Sequence, residues 1–291
     1  MRKAFIQLHI AVLLAGFTGV LGRLITLNEA LLVWYRLLIT AITLWILFFF
    51  LKKIKRISIT DCAKIFGVGL IAALHWVSFY GSIKYSNVSV ALVCFSSIGF
   101  FTALFEPMVF RKRINYRELF LGLLVIAGIY IIFHFDPQYK AGIIVGIVSA
   151  LLGSLFPIFN RVLLQKHSPE TVTLYELSGG LVWLSILLPF YLRMFPASHI
   201  VPTTSDFLWL LVLSWLCTVL AFQLSMNALK KISAFTVNLT YNLEPVYGIL
   251  LAFAVYKENQ QLGNSFYIGL TIIVVAVILQ TTDVYMTHRR K

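Results

Sequence analysis

Residues 31–56 read LLVWYRLLITAITLWILFFFLKKIKR. A single charge, Arg36, interrupts an apolar run long enough to cross a bilayer, and the basic cluster Lys52, Lys53, Lys55 and Arg56 closes it. A spanning helix needs about 20 mostly apolar residues, and basic residues at its end mark the cytoplasmic side. The same alternation of apolar run and short polar break recurs along the chain. The qualifying stretches are 4–25, 29–51, 62–84, 88–110, 117–135, 141–163, 171–194, 206–229, 233–256 and 263–285, the first read as an uncleaved helix. The sequence therefore predicts an all-α integral membrane protein with ten transmembrane helices. Helices are the natural spanning element, because without water every backbone group must be satisfied internally.

Composition agrees. The 291 residues are 60% hydrophobic and 12% charged, against about 45–50% and about 25% in soluble domains. The net charge of +13 does not indicate nucleic acid, because the basic residues fall in short clusters between apolar runs. With a cytoplasmic N-terminus, 18 of the 24 Lys and Arg lie on the inner side and 5 on the outer, Arg36 being within a span. This bias predicts a multi-pass protein of the bacterial inner membrane with both termini cytoplasmic.

Three cysteines, Cys62, Cys94 and Cys217, form no CxxC pair, so neither a disulfide framework nor a metal site is expected. No P-loop, HExxH or GxSxG pattern is present, so no cofactor, no metal and no enzymatic activity are expected. The expected partners are the lipid bilayer and a small-molecule substrate, with a proton as an open candidate for coupling.

Five helices per half would invert the second half relative to the first. A shift of 146 residues places Lys84 on Lys230, Phe95 on Tyr241 and Val109-Phe110-Arg111 on Val255-Tyr256-Lys257, and a shift of 147 places Gly122-Leu123 on Gly269-Leu270. Basic Arg111-Lys112-Arg113 becomes Lys257-Glu258-Asn259, as a loop on the opposite side should. The expected units are two inverted five-helix repeats, 1–139 and 140–291, with a substrate site at their mid-membrane interface.

Ionisable groups inside spans cost roughly 2.5–3.5 kcal/mol each on insertion scales and mark cavities or pairs. Arg36, His75, Glu106, Glu176 and Glu244 qualify. Glu244 precedes Pro245, which frees a backbone carbonyl, and Asn238, Tyr241 and Asn242 lie within two turns. This patch reads as a substrate contact or protonatable coupling site, or as a clamp on a kinked helix. His75 stands beside Trp76, with Phe79 and Tyr80 one turn on. It reads as a site for a planar or amphipathic solute, or as a histidine satisfied by the next helix. Arg36, after Trp34-Tyr35, could hold an anion or snorkel to the outer interface. Glu176 precedes Ser178-Gly179-Gly180 and could line the site or pair with Arg161 or Lys166. Glu106-Pro107 reads as structural.

Taken together, Trp34-Tyr35-Arg36, the junction Phe79-Tyr80-Gly81-Ser82-Ile83-Lys84, the counterpart Asn227-Ala228-Leu229-Lys230-Lys231 and Glu244-Pro245 resemble the EamA-type members of the drug/metabolite transporter superfamily. The resemblance spans essentially the whole chain. One departure is that the first half carries Gly99 where the repeat would place the equivalent of Pro245. The resemblance implies a cavity between the halves and secondary transport, with export of small metabolites such as amino acids as the expected direction. The alternative is an integral-membrane sensor or binding protein without flux.

Overall fold

A computed structural model describes residues 2–241 and 243–289, and every regular element among them is helical. The helices are α1 (Arg2–Leu24), α2 (Glu29–Phe50), α3 (Ile59–Tyr85), α4 (Val88–Phe95), α5 (Ile98–Phe110), α6 (Tyr116–Phe135), α7 (Lys140–Leu163), α8 (Pro169–Met194), α9 (Thr204–Ser214), α10 (Ala221–Leu229), α11 (Ala234–Tyr241), α12 (Leu243–Tyr256) and α13 (Asn264–Arg289). A π-helical turn, Trp215–Leu220, joins α9 to α10. Among the described residues, 8 helical stretches are long and apolar enough to cross a membrane, α4–α5 and α9–α10 each counting as one, and Asn264–Leu279 is a shorter apolar helix.

Polar side chains start these helices by accepting first-turn amide hydrogens. Asn28 accepts from the Ala30 amide, Asn87 from Val90, Ser168 from Thr171 and Ser233 from Thr236. Thr203 and Asp206 exchange bonds in a capping box at α9. Large apolar side chains such as Phe49, Phe50, Phe190, Leu250 and Ile278 point outward. That surface would be untenable in water and is the natural one in lipid.

One span is interrupted, α4 ending at Phe95 and α5 beginning at Ile98. The 146-residue shift carries the start of α4, Val88, onto the start of α11, Ala234. It carries the end of α5, Phe110, onto the end of α12, Tyr256. The next residues, Arg111 (φ 52°) and Lys257 (φ 54°), both adopt the left-handed conformation, which ends a helix by turning the chain away. This break needs no proline: between α4 and α5, Ser97 Oγ donates to the Cys94 carbonyl (2.7 Å) and Ser96 Oγ to the Leu92 carbonyl (3.3 Å). Serine hydroxyls competing for helix carbonyls loosen a helix in this way.

Packing runs mainly between the two halves. α3 lies on α7 and α8, α1 on α10 and α12, α2 on α8, and α6 on α13. α4 packs against α12 and, reciprocally, α11 against α5. Exchanging the halves preserves this pattern, since α3 on α7 corresponds to α10 on α1. At the α6–α13 crossing, a Cβ on Gly128 would lie 2.7 Å from the Gly269 carbonyl oxygen, and one on Gly269 would lie 2.5 Å from that of Gly128. Only glycine permits so close an approach of backbones.

Candidate substrate cavity

A cavity lies between two apolar clusters of the core. Trp76, Phe79, Phe95 and Ile98 bound it on one side, and Met226, Leu229 and Val237 on the other. Its polar lining comes from both halves: Arg36 on α2, His75 on α3, Asn160 on α7, Asn238 and Tyr241 on α11, and Glu244 on α12.

Arg36 is held from several directions. Its Nε donates to Thr218 Oγ1 (2.6 Å), one terminal nitrogen to the Tyr80 hydroxyl (2.9 Å) and the other to the Cys217 carbonyl (3.4 Å). The guanidinium lies 4.2 Å from the centroid of the Trp76 ring, a cation–π arrangement that is strengthened by desolvation. With only 2% of its surface exposed, Arg36 does not snorkel to an interface. Thr218 sits in the π-turn and donates to the Leu213 carbonyl (2.9 Å), and Ser214 Oγ donates to the Arg36 carbonyl (3.3 Å). Single π-turns inside helices concentrate at functional sites, and this one aims a hydroxyl and a carbonyl at the buried cation.

His75 Nδ1 lies 2.8 Å from the Ser149 carbonyl and 3.0 Å from Ser149 Oγ. A carbonyl only accepts, so Nδ1 carries a proton. Phe95 (5.5 Å), Phe156 (5.6 Å) and Phe79 (6.3 Å) surround the imidazole. The next helix thus satisfies one nitrogen, as the bland reading anticipated, while the ring still lines the cavity.

Asn238 Nδ2 donates to Thr102 Oγ1 (2.8 Å), tying α11 to α5. Glu244 lines the same space as Arg36 and lies within its electrostatic reach. Among the described residues it makes no ion pair. A fixed cation and an unpaired acid therefore face one cavity walled by aromatic rings.

Two expected contacts stand elsewhere. Tyr80 is fully buried behind Arg36 and supports it. Glu176 does not line the cavity; its Oε1 accepts from Asn160 Nδ2 (3.1 Å), and Asn160 does line it. Neither basic partner expected for Glu176 reaches it, since Arg161 donates to the Leu229 carbonyl and Lys166 pairs with Asp61 (2.6 Å). Asn242 lies outside the described residues. Glu106 is buried within electrostatic reach of Arg161.

Residues 2–134 and 140–282 each match the EamA-like transporter family. The chain belongs to that family. An uncharacterized transporter of Haemophilus influenzae is 24% identical over 269 residues, covering 87% of this chain and 85% of the relative. An uncharacterized transporter of Archaeoglobus fulgidus is 25% identical over 221 residues, covering 74% and 73%. One crystal structure of a protein shares the fold over 97% of both chains, with a TM-score of 0.66 and 15% identity.

In this EamA-like chain the two ends of the bundle are closed differently. At the end where α3 meets α4, Glu258 is fully buried; it pairs with Arg23 and accepts from the amides of Val88 (3.1 Å) and Ser89 (2.9 Å) and from Ser89 Oγ (2.5 Å). Asp206 accepts from the Thr26 amide (2.7 Å), and Tyr191 donates to Glu29. The opposite end holds the apolar cluster of Leu8, Ile158, Met226 and Leu229, with Arg161 donating to the Leu229 carbonyl. The cavity extends toward this second end, to Asn160, Leu229 and Val237. Sequence reasoning missed Thr218, Phe156, Phe222 and Glu258: apolar or loop neighbours surround each, and only the tertiary fold brings them to the cavity or its seal.

Proposed function

We propose that this EamA-like chain is a secondary transporter that exports small amphipathic metabolites such as amino acids from the bacterial cytoplasm. It works by alternating access between two inverted five-helix halves, 1–139 and 140–291, that together cross the membrane ten times. The matched starts of α4 and α11, the paired left-handed Arg111 and Lys257, and a contact pattern preserved on exchange of the halves support the repeat. The lysine and arginine distribution supports a cytoplasmic position for both termini.

One observation carries the reading: Arg36 and Glu244, from different halves, line one aromatic-walled cavity without pairing. A carboxylate placed at Arg36 and an ammonium at Glu244 would complete both, while the rings beside His75 take an apolar side chain. His75, Trp76, Phe79, Asn238 and Tyr241 complete the proposed contacts. In the proposed orientation the Glu258 seal is at the outer side, and the cavity runs toward the cytoplasm, where an exporter loads. A thermal-shift screen of purified protein against metabolites, followed by proteoliposome flux of each hit, tests this. Flux that vanishes in Arg36→Gln and Glu244→Gln proteins that still fold supports it. Binding without flux favours the sensor alternative.

A further inference from the structure

Beside the cavity lies a carboxyl that the transport reading leaves unused. Glu176 on α8 is fully buried. Oε1 accepts from Asn160 Nδ2 at 3.1 Å, while Oε2 and Asn160 Oδ1 are buried without partners. The approach from α3 is tight, since a Cβ on Gly69 would lie 2.2 Å from the Glu176 carbonyl oxygen.

The ionisable groups on the elements around Glu176 are engaged elsewhere or exposed. On α2, Arg36 is bound to Thr218 and Tyr80, and Glu29 to Tyr191. On α3, Asp61 pairs with Lys166, His75 with Ser149 and Lys84 with the Leu27 carbonyl, while Lys64 is exposed and Cys62 partly so. On α7, Arg161 is bound to the Leu229 carbonyl and Lys140 lies over Phe133. On α8 itself, Glu170 pairs with Lys53 and Arg193 is exposed; α10 carries no ionisable side chain. Among the described residues no charged side chain pairs with the Glu176 carboxyl, whose one partner is the Asn160 amide.

An ionised carboxylate with one neutral partner in such a place costs several kcal/mol, so the group here is the neutral acid. Its O–H needs an acceptor. A half-turn of the Asn160 amide, whose oxygen and nitrogen are interchangeable in position, supplies one. The repeat adds an independent indication. Glu176 is the eighth residue of α8 and Arg36 the eighth of α2, each between a tyrosine and a leucine. Where the first half fixes a permanent cation by three hydrogen bonds, the second places an acid with one cover that itself lines the cavity.

We propose that Glu176, covered by Asn160, is the proton-binding site that couples this transporter. It holds its proton in the closed arrangement seen here and exchanges it with the cavity when Asn160 turns aside. Glu244 is then a substrate contact and not the proton carrier. The coupling role rests on the transport reading, whereas the protonation of Glu176 does not.

Infrared difference spectroscopy of lipid-reconstituted protein near neutral pH tests the protonation. The wild type should show a protonated-carboxyl stretch that Glu176→Gln removes. Asn160→Ala, which leaves the acid in place, should shift that stretch to the frequency of an acid without this hydrogen bond. A stretch that persists unchanged in both variants overturns the assignment. Proteoliposome flux of a mixture of the standard amino acids tests coupling. An imposed pH gradient should accelerate wild-type flux several-fold, and Glu176→Gln should keep exchange without that acceleration. Glu176→Gln flux that still follows the gradient overturns the coupling role. A wild type that binds amino acids without moving them, with the stretch lost in Glu176→Gln, overturns the transport reading while upholding the proton site.

Discussion

Replacing Glu258 by Gln should open the end of the bundle that lies outside in the proposed orientation. Each carboxylate oxygen takes two donors: Oε1 accepts from Arg23 and the Val88 amide, and Oε2 from the Ser89 amide and Ser89 Oγ. A glutamine keeps one oxygen and turns an N–H2 toward the other pair of donors, so two of these bonds are lost in the sealed state. Bonds to charged groups contribute about 1.5–3 kcal/mol each. Arg23, whose side chain is 35% exposed, recovers much of its share from water. The sealed state should therefore lose roughly 3 kcal/mol relative to an outward-open one in which water reaches these groups, or about two decades in population. Cys217, which lines the cavity, reports the change once Cys62 and Cys94 are replaced by alanine. A membrane-impermeant thiol reagent added outside intact cells should label Glu258→Gln protein about a hundredfold faster than the parent, in proportion to that population. An unchanged labelling rate in a variant that retains its unfolding temperature would refute the assignment of this contact as a seal.

Thr218→Val removes the acceptor of Arg36 Nε. It should cost about 1.5–3 kcal/mol, read as a lower unfolding temperature and weaker metabolite binding, with Thr218→Ser restoring both. Gly69→Ala drives a methyl into the α3–α8 crossing and should destabilise by about 1–3 kcal/mol or more, visible in thermal unfolding. Glu244→Gln should erase most of the preference for a free amino acid over its N-acetylated form, a change of about tenfold or more, measured by titration calorimetry. An equal penalty for acetylation in both proteins would remove the ammonium contact.

Much of the fold was legible because lipid imposes simple rules. Long apolar runs with basic ends placed α1, α2, α6 and α7 within a few residues, whereas the interruption between α4 and α5 fell inside a run read as one span. The intramembrane ionisable residues pointed to the cavity for the same reason: Arg36, His75 and Glu244 are costly in lipid, and all three line it. Sequence could not say how each was held. Whether Arg36 snorkels or is buried depends on Thr218, 182 residues away, and on a π-turn within WLCTVL that no glycine or proline announces. Glu176 was legible as an anomaly, but its place behind Asn160 and out of the cavity was not, because the crossing at Gly69 is a matter of approach distance and not of pattern.

The two halves share a backbone plan without sharing chemistry, and the difference sets which state is favoured. If the halves were chemically identical, exchanging their conformations would interconvert inward and outward states of equal energy. They are not. The outer seal depends on Glu258, whose carboxylate accepts the first amides of α4 and so meets the positive end of that helix. Under the 146-residue shift its counterpart is Lys112, which would face the first amides of α11 when the inner end closed. A cation there opposes the helix dipole where an anion complements it. The inner closure must then rely on apolar contacts around Leu8, Ile158 and Met226 and on Arg161. In the proposed orientation the sealed-outside arrangement is therefore the lower in energy when the cavity is empty, and under the proposed mechanism the chain rests facing the cytoplasm. On that proposal, ligand binding between Arg36 and Glu244, or proton exchange at Glu176, supplies the difference needed to turn it outward.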